Sequence, residues 1–254
     1  MSISPARVVA GGAALAGTVA FAQLLPAVSC LRRVRNLAMP GLAGVGDPGH
    51  VALTFDDGPD PASTPAFLDT LDALGWRATF FMLGTMASAA PELVIEVAQR
   101  GHEVAVHGSK HSNHLRRGPR WSTRDILSAS DLLAELSGSR PRWYRPPYGA
   151  LATSTLIAVR RVGLRPILWT TWGRDWREGS TPESVVEEVE GTMARGATVL
   201  LHDSDCTSAP GAWKATIAAL PLLAEIWAAQ GLTIGPLSEH LTGIQARHNG
   251  SSAS

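Results

Sequence analysis

Cysteine is almost missing from this chain: Cys30 and Cys206 are the two among 254 residues. That is too few for a disulfide framework, and the two sit in segments of unlike character, so no structural disulfide is expected. Net charge is missing as well. Twenty-two basic and 22 acidic side chains cancel, and neither sign forms a long run, which removes the electrostatic signature of a nucleic-acid binder. A neutral polymer or small molecule is the expected partner, with no obligate protein partner. There is no internal repeat. What is plentiful is apolar side chain, 45% of residues, enough for the core of one catalytic domain.

Charge is locally absent from Val8 to Leu31, a run long enough to cross a bilayer. It reads as a signal peptide cut after Ala20-Phe-Ala22, or as an uncleaved anchor ending at Arg32-Arg33. A membrane-anchored or secreted, extracytoplasmic protein is expected. Arg32, Arg33 and Arg35 nevertheless outnumber Arg7 and the amino terminus, so the positive-inside rule points the other way. The expected organisation is a signal or anchor over 1–35, a linker over 36–50, a catalytic domain over 51–240 and a flexible tail over 241–254.

Within the domain, apolar strand-like runs alternate with amphipathic stretches. Strands are predicted at Val51–Phe55, Ala78–Met82, Glu103–Val106, Arg142–Tyr144, Arg165–Trp169, Thr198–Leu201 and Leu232–Ile234. Helices are predicted at Ala62–Leu74, Pro91–Arg100, Thr123–Leu136, Thr153–Val162, Pro182–Ala194 and Ala212–Ala229, with Thr181 as an N-cap before Pro182. Such alternation implies an α/β fold with a parallel sheet, open or closed into a barrel, and function at the carboxyl ends of its strands.

Polar residues collect at those ends. Val51-Ala-Leu-Thr-Phe-Asp-Asp-Gly-Pro59 ends a strand in two acids and a turn; because neighbouring strand residues face opposite ways, Asp56 and Asp57 share a site only if the strand breaks there. His107 and His111, four apart, can face one way from a helical turn or a tight loop and, with one carboxylate, chelate a metal while leaving positions open. The spare carboxylate could act as a base. Arg145-Pro-Pro-Tyr-Gly149 is a stiffened turn that could hold Arg145 on the free acid and aim the Tyr148 amide at an oxyanion. His202 closes an apolar strand and could donate a proton, with Asp175 in Trp172-Gly-Arg-Asp-Trp176 to tune it and an aromatic wall beside it. His114 is a candidate extra ligand or a rim residue. Cys206 is a ligand, a substrate contact or a plain loop residue.

These segments, in this order from Val51 to Gly235, resemble the polysaccharide deacetylase family, the NodB-homology domain; Thr54-Phe-Asp-Asp-Gly58 is the most specific of them. The resemblance implies a distorted (β/α) barrel of about seven parallel strands, here preceded by an N-terminal apolar helix. It implies metal-dependent removal of N-acetyl groups from an N-acetylglucosamine-containing polysaccharide such as peptidoglycan or a chitin-like polymer. It assigns Asp56 as base, Asp57, His107 and His111 as ligands of zinc (cobalt or nickel also accepted), and Arg145 as partner of the base. Tyr148 becomes the oxyanion amide, His202 the acid, Asp175 its tuning residue, and Trp176 and Leu200 the acetyl-pocket lining.

The chain departs from the family pattern at Gly108, where Ser or Thr is usual, at Trp172, where an acid is usual, and at Val199 in place of Leu. Rival readings are hydrolysis of a small amide on the same barrel, against which the aromatic set Trp172, Trp176 and Trp213 leans towards sugar, and a catalytically silent carbohydrate-binding protein. A non-haem iron centre shares the two-His, one-carboxylate set, but its usual β-sandwich does not match this alternation.

Overall fold

The computed structural model describes residue 23 and residues 25–241. Eight parallel strands form one curled sheet: β1 (His50–Asp56), β2 (Thr79–Met82), β3 (Glu103–Val106), β4 (Trp143–Tyr144), β5 (Arg165–Pro166), β6 (Thr171–Trp172), β7 (Thr198–His202) and β8 (Thr233–Gly235). Their order is β5-β4-β3-β2-β1-β7-β6, with β8 added beside the first half of β1. The sheet is thus a barrel with an open seam between β5 and β6.

The seam has a local cause. Arg165–Trp169 was expected to be one strand, but only its first two residues pair as one, because Leu168 N–H turns away to the Leu42 carbonyl. Pro166 lacks an N–H, which suits a sheet edge. The chain re-enters the sheet at β6, a strand too short to stand out in the sequence.

Both faces of β1 are buried, and alternation sorts its residues. Val51, Leu53 and Phe55 face the layer between sheet and helices, where Phe55 meets Phe67 edge-on at 5.1 Å and tilts against Phe80 at 5.2 Å. Each such buried side chain contributes about 1.5–3 kcal/mol. Ala52, Thr54 and Asp56 face the barrel interior, a smaller core shared with Phe81, Ala105, Trp143 and Ile167.

Helices cover the outside at Thr64–Leu74, Pro91–Gln99, Pro119–Ser137, Thr153–Val162, Pro182–Glu190 and Trp213–Ala229. The expected cap is present: Ser184 N–H donates to Thr181 Oγ1, and the Ser184 hydroxyl accepts from Thr181 N–H. The helix Gly84–Ala89 was not foreseen; tertiary bonds from Gly84 and Thr85 N–H to the carbonyls of Gly108 and Ser109 anchor its start.

The stretch expected as a linker, 36–50, is instead structured. Helices Arg32–Ala38 and Pro40–Ala43 pack over the seam, and buried Arg35 donates to the carbonyls of Ser29 and Trp169 at 2.8 and 2.7 Å. Leu25–Cys30 forms a 3-10 helix, while most of the apolar run expected to enter a membrane, and the tail from 242, lie outside the described residues. Among the described residues no helix is long and apolar enough to cross a membrane.

Candidate active site

Period-two alternation carries polar side chains to one mouth of the barrel. On β1 the interior series is Ala52, Thr54, Asp56; on β3 it runs from Ala105 to His107; on β4 from Trp143 to Arg145; on β7 through Thr198 and Leu200 to His202. Asp57 would point outward had the strand continued. It does not: Asp57 takes φ 81°, which turns its carboxylate back toward the same mouth.

Asp57 is almost fully buried, and its Oδ1 lies 3.4 Å from His107 Nε2 and 3.6 Å from His111 Nε2. Burial alone would raise this carboxyl, but the imidazoles around it, His107 first and then His202 and His111, hold it well below the usual carboxylate range. His107 Nδ1 donates to the Arg145 carbonyl at 2.9 Å, a bond that leaves Nε2 bare toward Asp57. His111 comes from a loop rather than a helical turn. Its ring packs on Tyr148 at 4.4 Å, and burial pushes its pKa down to about 4, the neutral form a ligand needs.

The donor set fits a divalent cation. Three ligand atoms, from Asp57, His107 and His111, lie within 4.8 Å of one another. Asp57 Oδ1 is buried with no hydrogen-bond partner, a costly condition that an ion would relieve.

Beside this set, Arg145 is wholly buried; its Nη1 donates to Asp56 Oδ1 at 2.7 Å and Thr54 Oγ1 at 2.8 Å, and its Nη2 to the Leu168 carbonyl at 2.9 Å. The guanidinium also stacks over Phe81, 4.0 Å from the ring centre. Burial lowers its pKa from the usual guanidinium range, and Asp56 counters that. Asp56 Oδ2 is left facing the cleft, 3.8 Å from His107 Nε2.

Across the cleft, His202 Nδ1 donates to Asp175 Oδ1 at 2.8 Å, while His202 N–H and Thr216 Oγ1 both donate to Asp175 Oδ2 at 2.8 Å. Burial would lower the imidazole, but the charge and hydrogen bond of Asp175, with Asp57 and Asp56 beyond, raise it to about 9. Tyr148 sits in the Pro147–Gly149 turn at φ 60°. The cavity between these groups measures about 310 Å³ and is lined by Asp56, His107, His111, Tyr148, Leu200 and His202 with Trp169, Trp172 and Trp176.

All ten site residues named from the sequence therefore meet around one cleft or, for Arg145, Asp175 and Asp57, directly behind its wall. Trp213, expected in the aromatic wall, packs against the outer core instead, and Trp169 stands in the wall. His114 is neither ligand nor rim: it is buried, 3.3 Å from Asp125 Oδ2 and edge-on to Trp121.

Two contributors were not foreseen. Thr207 Oγ1 donates to Asp57 Oδ2 at 2.5 Å, fixing the rotation that aims Oδ1 at the histidines. Asp203, wholly buried, accepts from Thr64 Oγ1 at 2.7 Å, and burial pushes it up to about 7. A Cβ on Gly58 would lie 2.2 Å from its Oδ2, so glycine in the first motif keeps room for this carboxyl. Gly108 is explained likewise: its φ is +94° and a Cβ would come within 2.8 Å of Asp125 Oδ2, so the hydroxyl residue usual there has no space. Cys206 is a free thiol with Sγ 3.6 Å from the Asp57 carbonyl.

Comparison with known proteins gives a consistent result. A family model described as Polysaccharide deacetylase matches residues 43–167. The chain is 32% identical over 194 residues to a chitooligosaccharide deacetylase of Azorhizobium caulinodans, covering 74% of this chain and 92% of that one. It is 34% identical over 162 residues to the peptidoglycan-N-acetylmuramic acid deacetylase PdaC of Bacillus subtilis, covering 64% of this chain but 34% of that longer protein. A crystal structure of the Bc1960 peptidoglycan N-acetylglucosamine deacetylase superposes with a TM-score of 0.71 at 27% identity, covering 78% of this chain and 90% of the other.

Proposed function

From the premise that this chain belongs to the polysaccharide deacetylase family, we propose that it hydrolyses N-acetyl groups from an N-acetylglucosamine-containing glycan, peptidoglycan or chitin-like. The observation that carries this is the unpartnered, buried Asp57 Oδ1 facing the Nε2 atoms of two imidazoles, beside a second acid that accepts a hydrogen bond from Arg145. Asp57, His107 and His111 would hold the ion, and two nitrogens with one oxygen suit zinc, with cobalt or nickel as substitutes. Bound there, it supplies Lewis-acid polarisation of the acetamide carbonyl and a more acidic water.

The protein groups then divide the remaining work. Asp56 accepts the proton of the attacking water through Oδ2, since Oδ1 is engaged by Arg145. The backbone N–H of Tyr148 would stabilise the oxyanion. His202, positively charged at neutral pH through Asp175, protonates the departing amine, which is otherwise too basic to leave. The indoles of Trp172 and Trp176 and the side chain of Leu200 offer apolar surface to a sugar ring and its acetyl methyl.

Such polymers lie outside the cytoplasm, so the working location is extracytoplasmic, with the N-terminal segment as membrane anchor or export signal. The reading is tested by acetate release from chitin oligomers and from peptidoglycan against small linear and cyclic amides, with the purified chain loaded with zinc. Turnover of the glycans supports it. Activity confined to small amides would overturn it.

A further inference from the structure

The chain as a whole is neutral, yet between Lys110 and Arg124 it carries five cations, Lys110, Arg116, Arg117, Arg120 and Arg124, and no acid. All five are exposed, and among the described residues none is paired with a carboxylate. They are gathered onto the loop that follows β3 and the start of helix Pro119–Ser137. A groove of about 300 Å³ there is lined by Lys110, Arg117 and Arg124, with the half-buried indole of Trp121, the hydroxyls of Ser109 and Ser128, and one acid, Asp125, which is itself buried with Oδ2 engaged by Ser109 N–H and 3.3 Å from His114. Arg117 lies over the Trp121 ring, 4.8 Å from its centre, which limits the freedom of that guanidinium. Arg116 and Arg117 also line an adjoining hollow.

The groove shares a wall with the catalytic cleft. His111 lines the cleft, while its immediate neighbours Lys110 and Ser112 line the groove. We propose that this groove is a subsite for carboxylates on the substrate, so that the protein prefers an acidic glycan, one whose sugar next to the deacetylated residue bears a carboxylate on an ether or peptide substituent, over a neutral one. The inference rests on the deacetylase reading for the nature of the glycan. Guanidinium forks match carboxylates, the indole offers a face for a sugar ring, and the hydroxyls can bond to sugar oxygens. A concave site one residue away from a cleft wall suits a strand that continues out of that cleft better than it suits a flat lipid surface.

The test measures binding to the full-length protein by calorimetry at low and high salt. The probes are a neutral β-1,4-linked N-acetylglucosamine tetramer, a tetramer of the same backbone with carboxylate ethers on alternate residues, and phosphatidylglycerol vesicles. Wild type is expected to bind the acidic tetramer about tenfold more tightly than the neutral one at low salt, with the advantage shrinking at high salt. Arg117→Gln with Arg124→Gln should abolish the advantage, leaving affinity for the neutral tetramer within about twofold and the melting temperature unchanged, since both residues are exposed. Equal affinity of wild type for the two tetramers, or an undiminished advantage in the double variant, would overturn the proposal. So would arginine-dependent binding of the vesicles without a preference between the tetramers. Acetate release measured in parallel separates the two readings: a wild type that prefers the acidic tetramer but releases acetate from neither retains the groove and loses the deacetylase.

Discussion

Replacing Asp175 with Asn tests the acid end of the mechanism more sharply than removing His202 would. Asp175 Oδ2 accepts two donors, His202 N–H and Thr216 Oγ1, and Oδ1 accepts one, His202 Nδ1. An Asn amide satisfies the pair with its oxygen and therefore turns its NH2 toward the imidazole, donor against donor, unless that ring nitrogen gives up its proton. The burial that already opposes protonation of His202 is then left facing only the more distant Asp57 and Asp56. The imidazole, at about 9 in the wild type, should fall to the ordinary 6.5 or below. At pH 8 the protonated fraction drops from about 0.9 to about 0.03, some 30-fold, whereas at pH 6 the two proteins should differ by less than about twofold.

The assay is the pH profile of kcat/KM between pH 5.5 and 10 on one acetylated oligosaccharide. A bound divalent ion adds positive charge and moves both alkaline limbs down, so the displacement between the two profiles is the quantity to read. The sign also governs folding: with its folded pKa raised, His202 contributes stability fully below about 6.5 and loses it as pH rises through about 9. The metal-free wild type should show this loss in thermal melts, and the Asn variant should not. Coincident alkaline limbs would refute His202 as the acid tuned by Asp175.

Asp56→Asn should keep zinc affinity by calorimetry and lose about 10²–10⁴-fold in kcat; it should also melt lower, since the buried Arg145 loses its counter-charge at a cost of about 3 kcal/mol. Thr207→Val should weaken zinc binding about tenfold, the range found for outer partners of metal ligands, while Thr207→Ser retains it; equal affinity in the Val variant would show that Asp57 needs no such restraint. Asp203→Asn should raise the melting temperature at pH 8 and do less at pH 4, because a carboxyl raised to about 7 stabilises the fold when protonated and loses that contribution as pH climbs through 7. Gly108→Ser should destabilise by about 1–3 kcal/mol through its left-handed backbone and the encroachment on Asp125, measurable by urea titration.

Much of the site was legible in the sequence because strand alternation is a short-range rule. Asp56, His107, Arg145 and His202 all stand at interior positions of strands or one step beyond them, and a period of two reaches that far without knowledge of the fold. The family resemblance supplied the roles, which spacing alone left open. Thr207, Asp203 and Trp169 were missed for the opposite reason: each acts through a partner about 130 or more residues away, and nothing in a loop such as Asp203-Ser-Asp-Cys-Thr207 marks which hydroxyl will meet Asp57. Trp213 was misplaced because a tryptophan at the start of a helix reads alike whether it faces a cleft or a core. The strand β6 escaped because two paired residues leave no periodicity to detect.

The segment from Leu25 to Ala43 changes where this enzyme can be cut. Its Arg35 serves as a rivet, tying a 3-10 turn on one side to the Trp169 carbonyl on the other, and the same tryptophan forms part of the catalytic wall. A recombinant fragment begun at His50 would contain every motif residue yet leave the barrel's unpaired edge exposed and Trp169 unbraced. Release of the chain after Ala22 would spare this fastening, since Gln23 already reaches the Arg117 carbonyl and the Ser154 hydroxyl.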